Sequence, residues 1–310
     1  MTAADFLSLV ISALLLAGIY SAMAVGMTVI YGVMKIVNLA HAGFLMLGAY
    51  FAFEMYDRFH VDPILGAVIA LPAFFLFGMA VHVVLVRWLP KSDTPTLASL
   101  LLMFGLWQVL QNVAYLVWGN TAYSIFTPRS LSSVQFGEIR IPKDKLVVFA
   151  AAVVSLSVLQ FVFNRSWFGR SMRALIQNPQ AAQIVGVDDE RTSRLSFGLG
   201  TAFAGFAGAL LAMLYPFTPD FGPPFLLRSF VIIVLGGLES VSGVALGALV
   251  LALLEVFSIN VPVPWYWHGW NFYFLPASVQ PAVSFVLLVV VLLVLPKGLA
   301  GLLEKKRRVA

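Results

Sequence analysis

The sequence predicts an all-α fold, a polytopic bundle with about eight membrane-spanning elements. Of its 310 residues, 61% are hydrophobic and only 11% are charged, whereas a soluble domain carries about 25% charged residues. Several apolar runs exceed the ~20 residues that a helix needs to cross a ~30 Å hydrocarbon core. No segment shows the ten-residue alternation of a membrane β-barrel. Residues 1–310 are therefore predicted to form a single transmembrane domain.

The predicted spans follow one another with short polar connections, and the positive-inside rule sets their orientation. They are 6–33, 38–55, 64–86, 97–118, 146–163, 195–215 and 276–296. The region 164–194 carries five arginines, and the chain ends in a basic run at 305–308. Both regions are predicted to be cytoplasmic, which places the N-terminus outside and the C-terminus inside. The basic loop at 129–145 is then outside, as the one exception to the rule.

The segment 229–258 must cross an even number of times in this topology. Its 30 residues are too few for two full spans. The run Gly236-Gly237-Leu238-Glu239-Ser240 offers a break, so a broken helical hairpin of two short half-helices is predicted. Non-helical backbone at membrane depth is tolerated only beside protein or a water-filled cavity, and such a hairpin therefore indicates a transport path. The alternative is one kinked helix with a span miscounted elsewhere.

Small residues recur at four-residue spacing, which allows helix backbones to approach closely in lipid. They are Gly18, Ala22 and Gly26 in the first span, Ala204, Gly208 and Ala212 in the sixth, and Gly243 with Gly247 in the hairpin. We interpret these residues as packing positions.

Several kinds of chemistry have no signal in the sequence. There is no cysteine, which excludes disulfides and thiolate metal sites. No Walker A pattern, HExxH motif or nucleophile–base motif occurs. The net charge of +5 is explained by topology, so no nucleic-acid partner is expected. The chain is thus predicted to be neither an enzyme nor an ATP-binding protein.

Polar residues within the spans are few. Gln108, Gln111 and Asn112 share one helix face, which either lines a pathway or makes interhelical hydrogen bonds. Carboxylates that could couple transport to an ion gradient are interpreted instead as interfacial charges. They are Glu54, Glu239 and Glu255.

The polar region 164–194 is predicted to contain a short helix, Pro179–Val185. Asn178 is a suitable N-cap, Pro179 suits the first helical position, and Gly186 suits the C-terminal stop. So short a helix is marginal alone in water. Its apolar side chains need another surface, which is either a partner protein or the cytosolic ends of this chain's own helices. We expect a cytoplasmic docking element here.

The string Gln180-Ala181-Ala182-Gln183-Ile184-Val185-Gly186 resembles the E-A-A-x-x-x-G coupling motif of ABC importer permeases, with Gln in place of Glu. Tyr31-Gly32 followed by 36–43 (IVNLAHAG) resembles the "YG…INFAHG" signature of branched-chain amino acid permeases. Gly186-Val187-Asp188 resembles that family's "GI(N/D)", and 234–243 resembles its "VLGGIGSIPGA". The chain is most similar to the shorter, H-type subunit, and it departs from the pattern at Gln180, Glu239 and Ser242.

The resemblance implies an importer of the bacterial inner membrane in which two permeases, expected to be different chains, form the pore. Cytoplasmic ABC ATPases, which bind the ATP and Mg, dock on the coupling helices. A periplasmic or extracellular binding protein delivers a branched-chain or related amino acid, and membrane lipid surrounds the bundle. This chain is expected to bind no cofactor itself, and transport is expected to proceed by alternating access.

The residues assigned to coupling are Gln180, Ala181, Ala182, Ile184, Val185, Gly186, Val187 and Asp188. The candidate pathway residues are Asn38, His41, Gly43, Gln108, Gly236 and Gly237. Two alternatives stay open from the sequence. One is an ion-coupled secondary transporter of small polar solutes, and the other is a membrane-embedded enzyme with a site around His41 and Glu54.

Overall fold

A computed structural model describes residues 3–89, 95–137, 139–238, 240–260, 265–267, 270–272 and 280–294. Eleven α-helices lie within these ranges. They are α1 (Ala3–Met34), α2 (His41–Phe59), α3 (Pro63–Val84), α4 (Pro95–Trp118), α5 (Lys143–Arg165), α6 (Trp167–Gln177), α7 (Pro179–Ile184), α8 (Asp189–Leu211), α9 (Gly222–Gly236), α10 (Val241–Asn260) and α11 (Gln280–Val294). Two antiparallel hairpins pair β1 (Ser133–Phe136) with β2 (Ile139–Pro142), and β3 (Trp265–Trp267) with β4 (Trp270–Phe272).

The helical, polytopic character of the chain is confirmed. Among the described residues, six helices are long and apolar enough to cross a membrane, namely α1, α3, α4, α5, α8 and α10. Helix α2 is not one of them, because Glu54, Asp57 and Arg58 lie in its last two turns. The basic tail at 305–308 falls outside the described residues, so the inside–outside orientation stays a prediction.

Helix α8 lies at the centre of the bundle, and α1, α2 and α3 pack around it. The predicted small residues make this packing close. A Cβ at Gly208 would clash with the carbonyl of Leu45 on α2, and one at Gly200 would lie 2.5 Å from the carbonyl oxygen of Gly26 on α1. Backbone therefore meets backbone at these two crossings, as small residues in membrane helices allow.

The break in the predicted hairpin stands where the sequence placed it, between Gly236 and Val241. Gly247 packs on the carbonyl of Ile232, and Gly243 packs on the backbone of Gly236. Helices α9 and α10 therefore run antiparallel, which rules out a single kinked helix.

The two helices of this hairpin are longer than half-helices. Helix α9 begins seven residues before position 229, because the run Gly222-Pro223-Pro224 starts a helix well. Helix α10 has 20 residues, or ~30 Å, which is a full membrane crossing. Only α9, with 15 residues, is short for a span. Glu239 lies outside the described residues.

A second helix break lies between α1 and α2, where the sequence predicted a regular span from residue 38. Lys35 adopts a left-handed conformation, φ 55°, and α2 starts only at His41. The His41 Nε2 lies 3.1 Å from the carbonyl oxygen of Met23. Met23 is ~16 Å along α1 from the end of that helix at Met34. The segment 35–40 therefore turns back into the bundle, and α2 begins deep inside it.

Candidate coupling loop and translocation pathway

The loop 164–194 contains two helices, of which the sequence analysis found only the second. Helix α6 is capped by Ser166, whose Oγ accepts a hydrogen bond of 2.9 Å from the backbone N–H of Gly169. It buries Gly169, Met172 and Leu175, an i, i+3, i+6 spacing that marks one helix face. That apolar periodicity was the signal for α6.

Helix α7 has the predicted caps and ends at Ile184, one residue earlier than expected. The Asn178 Oδ1 accepts a hydrogen bond of 2.9 Å from the Ala181 N–H. At the other end, Gly186 takes φ 87°. The N–H groups of Gly186 and Val187 donate to the carbonyls of Gln183 and Ala182, both at 3.0 Å. This is a Schellman motif, which favours glycine in the left-handed position.

Asp188 connects the coupling loop to the membrane helix that follows. Its Oδ1 accepts a hydrogen bond of 2.9 Å from the backbone N–H of Arg191, in the first turn of α8. The loop helix is therefore held by capped ends on both sides, and its orientation relative to α8 is defined by the four connecting residues, 185–188.

The apolar side chains of α7 divide between two surfaces. Ala182 is 3% exposed and belongs to a small cluster with Val29 and Val33 of α1 and Met172 and Leu175 of α6. Ile184 and Val185 are 86% and 77% exposed. Gln180 and Ala181 are also exposed, and Val187 is half-buried. Both alternatives raised by the sequence are thus present, since one face of the loop packs on the bundle and the other is uncovered in this chain.

Asn38 and His41 occupy the break before α2 and are completely buried. Within the described residues, neither amide atom of the Asn38 side chain has a hydrogen-bond partner, and the His41 Nδ1 has none. Buried polar groups in folded proteins nearly always have partners. These three atoms are therefore exceptions among the buried polar groups of the described residues.

The other candidate pathway residues lie apart from this pair. Gly43 packs against Leu110 and Trp107 of α4. Gly236 and Gly237 lie at the far end of α9, whose first residue, Gly222, is the one that contacts Ala42. Because 14 residues of helix separate Gly222 from Gly236, ~21 Å lies between them. The structure does not bring the hairpin tip to Asn38 and His41.

The polar face of α4 is split as well. Gln111 is buried and donates hydrogen bonds to the Asp220 carboxylate at 2.7 Å and to the Pro219 carbonyl at 3.3 Å. Asn112 is exposed and donates to the Gln108 carbonyl of its own helix at 2.8 Å. Gln108 is half-buried. Gln111 thus joins α4 to residues 219–220 by hydrogen bonds, whereas the pathway role of Gln108 stays a prediction.

The interpretation of Glu255 as an interfacial charge is wrong, since this residue is 0% exposed. Its carboxylate accepts hydrogen bonds from Tyr20 Oη at 2.6 Å, Ser284 Oγ at 2.6 Å and Arg228 Nε at 2.9 Å. One carboxylate therefore joins α1, α9, α10 and α11. Glu54, by contrast, lies at the end of α2 beside Arg58 and accepts from Trp118 Nε1 at 2.7 Å.

Arg228 was not among the residues predicted from the sequence. It is 8% exposed, and its guanidinium also lies over the ring of Phe225 at 5.5 Å. The signal available was a single cation within an apolar run, paired with a single acid in the next one, since ionisable residues within membranes are almost always paired.

Known proteins that are similar to this chain are transport permeases. The sequence model of the family described as branched-chain amino acid transport system / permease component matches residues 9–295. The chain is 28% identical over 313 residues to the high-affinity branched-chain amino acid transport system permease protein LivH of Salmonella typhimurium, covering 96% of both chains. It is 27% identical over 308 residues to the permease protein BraD of Pseudomonas aeruginosa, again with 96% of both covered.

A permease protein of a second type is related too. The chain is 27% identical over 265 residues to the high-affinity branched-chain amino acid transport system permease protein LivM of Escherichia coli, covering 76% of this chain and 60% of the relative. No solved structure matches. The family model covers nearly the whole helical bundle, including the break before α2, the coupling loop and the hairpin. This chain belongs to the family of permease components of branched-chain amino acid transport systems.

Proposed function

We propose that this chain is a permease subunit of an ATP-binding-cassette importer that moves branched-chain or related amino acids into the cytoplasm. In this proposal, separate ATPase subunits bind ATP and Mg and drive alternating access. A periplasmic or extracellular binding protein delivers the substrate. Because relatives include both a LivH and a LivM permease protein, the second permease of the pore is proposed to be a different chain.

The observation that carries the proposal is the two-sided arrangement of α7. Ala182 is buried in one cluster with residues of α6 and α1, while Ile184 and Val185 are almost fully exposed on the same short helix. Exposed apolar side chains on a capped, rigid helix are typical of a protein-binding surface. An ATPase that binds Ile184 and Val185 would therefore act on α1 through Ala182 and the α6 residues of this cluster.

A chain of contacts leads from this surface to the break before α2. Ala182 packs in one cluster with Val29 and Val33 of α1. Further along the same helix, the Met23 carbonyl accepts the His41 ring N–H. A displacement of α7 against the bundle therefore changes the position of α1 relative to α2, which is the kind of discrete rearrangement that switching proteins use.

The unpartnered atoms of Asn38 and His41 support a second conformation. Leaving a buried polar group without a partner costs about 1–3 kcal/mol. In an open state these groups would meet water or the polar ends of the substrate. The buried arrangement is then an occluded state, and alternating access exposes the Asn38–His41 segment to the passage.

The proposal is tested by reconstituting the chain with its ATPase, second permease and binding protein in liposomes. Replacing Ile184 and Val185 with Asp should abolish ATPase co-purification and substrate uptake, because charge on this surface prevents apolar docking. The control is Gln177→Glu, on the exposed side of α6, which should leave both intact. Normal uptake and co-purification in the Ile184/Val185 variant would exclude α7 as the docking element.

Glu255 favours one alternative, an ion-coupled secondary transporter, because such carriers use buried carboxylates. The alternative requires uptake to stop when the proton gradient is dissipated while ATP is held constant. The importer requires uptake to continue under those conditions. The Glu255 carboxylate is paired with the Arg228 guanidinium inside the bundle, as ionisable residues within membranes almost always are, so the uptake measurement decides between the two.

A further inference from the structure

An apolar groove of about 710 Å³ lies on the outside of the bundle, between α3 and α5, with α8 as its floor. Its walls are formed by residues such as Val68 and Leu71 on α3 and Val154 and Val158 on α5, and Phe203 belongs to its floor. Val154 and Val158 are 62% and 58% exposed, so the groove is open to the surroundings of the bundle. The residues that line it belong neither to the loop 164–194 nor to the Asn38–His41 break.

The α5 wall of the groove is a continuous stripe along the helix. It runs from Val147 to Val162 at positions three or four residues apart, or ~22 Å. A cationic residue follows the stripe at each end. Lys143 lies four residues before Val147, and Arg165 lies three residues after Val162. Both are exposed, and neither forms an ion pair in the described part of the chain.

The lining of the groove selects between two apolar occupants, a partner helix and a lipid chain. A partner helix would lie partly outside this open groove and would insert only its side chains. Helix pairs in membranes meet through small residues, whereas the α3 wall and the α8 floor carry Leu71, Phe75 and Phe203. A flexible hydrocarbon chain fits this bulky apolar lining.

The coupling-loop end of the stripe has the composition of a lipid headgroup level. Beyond Arg165, Trp167 is 79% exposed, and the guanidinium of Arg170 lies 4.1 Å over its ring. Exposed Trp beside Arg is typical of the membrane–water interface, and clustered Arg attracts lipid phosphates. The opposite end of α5 has Lys143 but no comparable aromatic residue in its first turn.

We propose that this groove is a specific lipid site. A glycerophospholipid of the leaflet on the coupling-loop side places one acyl chain between α3 and α5, and Arg165 binds its phosphate. The inference concerns the lipid-facing side of the bundle and does not depend on which solute is transported or on how transport is driven.

The experiment measures lipid retained by the purified full-length chain. The protein is extracted in mild detergent, exchanged into vesicles of phosphatidylglycerol and phosphatidylethanolamine, and analysed by native mass spectrometry after dilution. We expect one phospholipid retained on the wild type. Arg165→Gln and Ala150→Phe, which fills the groove from an exposed lining position, should each reduce retention at least fivefold.

Three matched variants should retain lipid as the wild type does. Val153→Phe adds the same bulk to α5 outside the groove, since Val153 is 40% exposed and does not line it. Arg140→Gln removes an exposed cation from β2, and Lys143→Gln removes the cation at the opposite end of the stripe. Equal retention in all variants, or equal loss in Val153→Phe and Ala150→Phe, would overturn the site.

A second measurement locates the acyl chain of the bound lipid. Phosphatidylglycerol with a photoactivatable diazirine on its acyl chain should label α5 peptides that line the groove, and Ala150→Phe should suppress this labelling. Uniform labelling of every lipid-facing helix would indicate ordinary surrounding lipid and overturn the proposal. Because the chain has no cysteine, Ser155→Cys provides a unique probe. Its cross-linking to a second permease subunit would show that protein, and not lipid, covers the groove.

Discussion

Arg228 and Glu255 form an ion pair of 2.9 Å inside the bundle, with their side chains 10% and 0% exposed. The pair ties α9 to α10, and Tyr20 and Ser284 extend it to α1 and α11. In hydrocarbon surroundings such a carboxylate is stable only with its full set of donors. The hairpin is therefore positioned by polar bonds as much as by its close glycine contacts.

Breaking this pair from one side should be strongly destabilising. Arg228→Met leaves Glu255 buried without its cation, which costs about 3–5 kcal/mol. The double variant Arg228→Met/Glu255→Leu should recover much of this loss, since both charges are gone. Thermal unfolding of these variants in detergent measures the coupling free energy between Arg228 and Glu255. Arg129→Met is the control, because the Arg129–Asp62 pair is partly exposed and is expected to contribute less than about 1 kcal/mol. Additive losses in the double variant would contradict the prediction.

Two tyrosines in the interior should respond differently to loss of their hydroxyl. Tyr20 donates to the Glu255 carboxylate at 2.6 Å, so Tyr20→Phe should cost about 1.5–3 kcal/mol, as expected for a bond to a charged group. Tyr50 Oη is buried and has no partner within the described residues. Tyr50→Phe should therefore be neutral or stabilising. Comparing the melting temperatures of the two variants tests this, and a larger loss for Tyr50→Phe would refute it.

Gly208 should tolerate no side chain, because a Cβ there would clash with the backbone of Leu45. Gly208→Val should separate α2 from α8 and strongly reduce the amount of folded protein in the membrane. Gly105→Val is the matched control, since nothing lies within 4 Å of a Cβ at Gly105. Size-exclusion profiles of the two variants in detergent give the comparison. Equal, monodisperse recovery of both would show that the α2–α8 crossing adjusts freely.

Gly186 should be required for coupling more than for insertion. Its φ of 87° is strained for any residue with a Cβ, at about 1–2 kcal/mol. Gly186→Val should loosen the end of α7 and lower uptake severalfold in the reconstituted importer, while the protein still inserts. Gly137, with φ 61° between β1 and β2, supplies the control Gly137→Val. Similar uptake defects from both substitutions would assign the effect to general strain.

The unpartnered Asn38 provides a test that separates function from stability. Asn38→Leu replaces a buried polar group of similar size with an apolar one, so stability should stay equal or rise by up to about 1–3 kcal/mol. Uptake should fall at least tenfold if Asn38 contacts the passage in an open state. Melting temperature and uptake are measured on the same preparation. Unchanged uptake would remove Asn38 from the pathway, whatever its effect on stability.

The sequence was sufficient wherever the determining signals are local. Asn178, Pro179 and Gly186 specify the ends of α7 within nine residues, and the apolar runs specify the long helices. The re-entry before α2 was missed because it depends on a tertiary bond between His41 and Met23. Glu255 was misplaced for a similar reason, since its burial depends on donors from three other helices.

Helix α1 runs without interruption over 32 residues, a length of ~48 Å. Three residues of α1 make the contacts described above. Val33 belongs to the cluster that buries Ala182, the Met23 carbonyl accepts the His41 hydrogen bond, and Tyr20 donates to Glu255. They lie within 14 residues of each other, ~20 Å along the helix. In the proposed mechanism, a displacement of α1 at Val33 moves Met23 and Tyr20 with it, because a hydrogen-bonded helix changes little in length. The α2 break and the Glu255 cluster would then respond to the loop 164–194 as one unit.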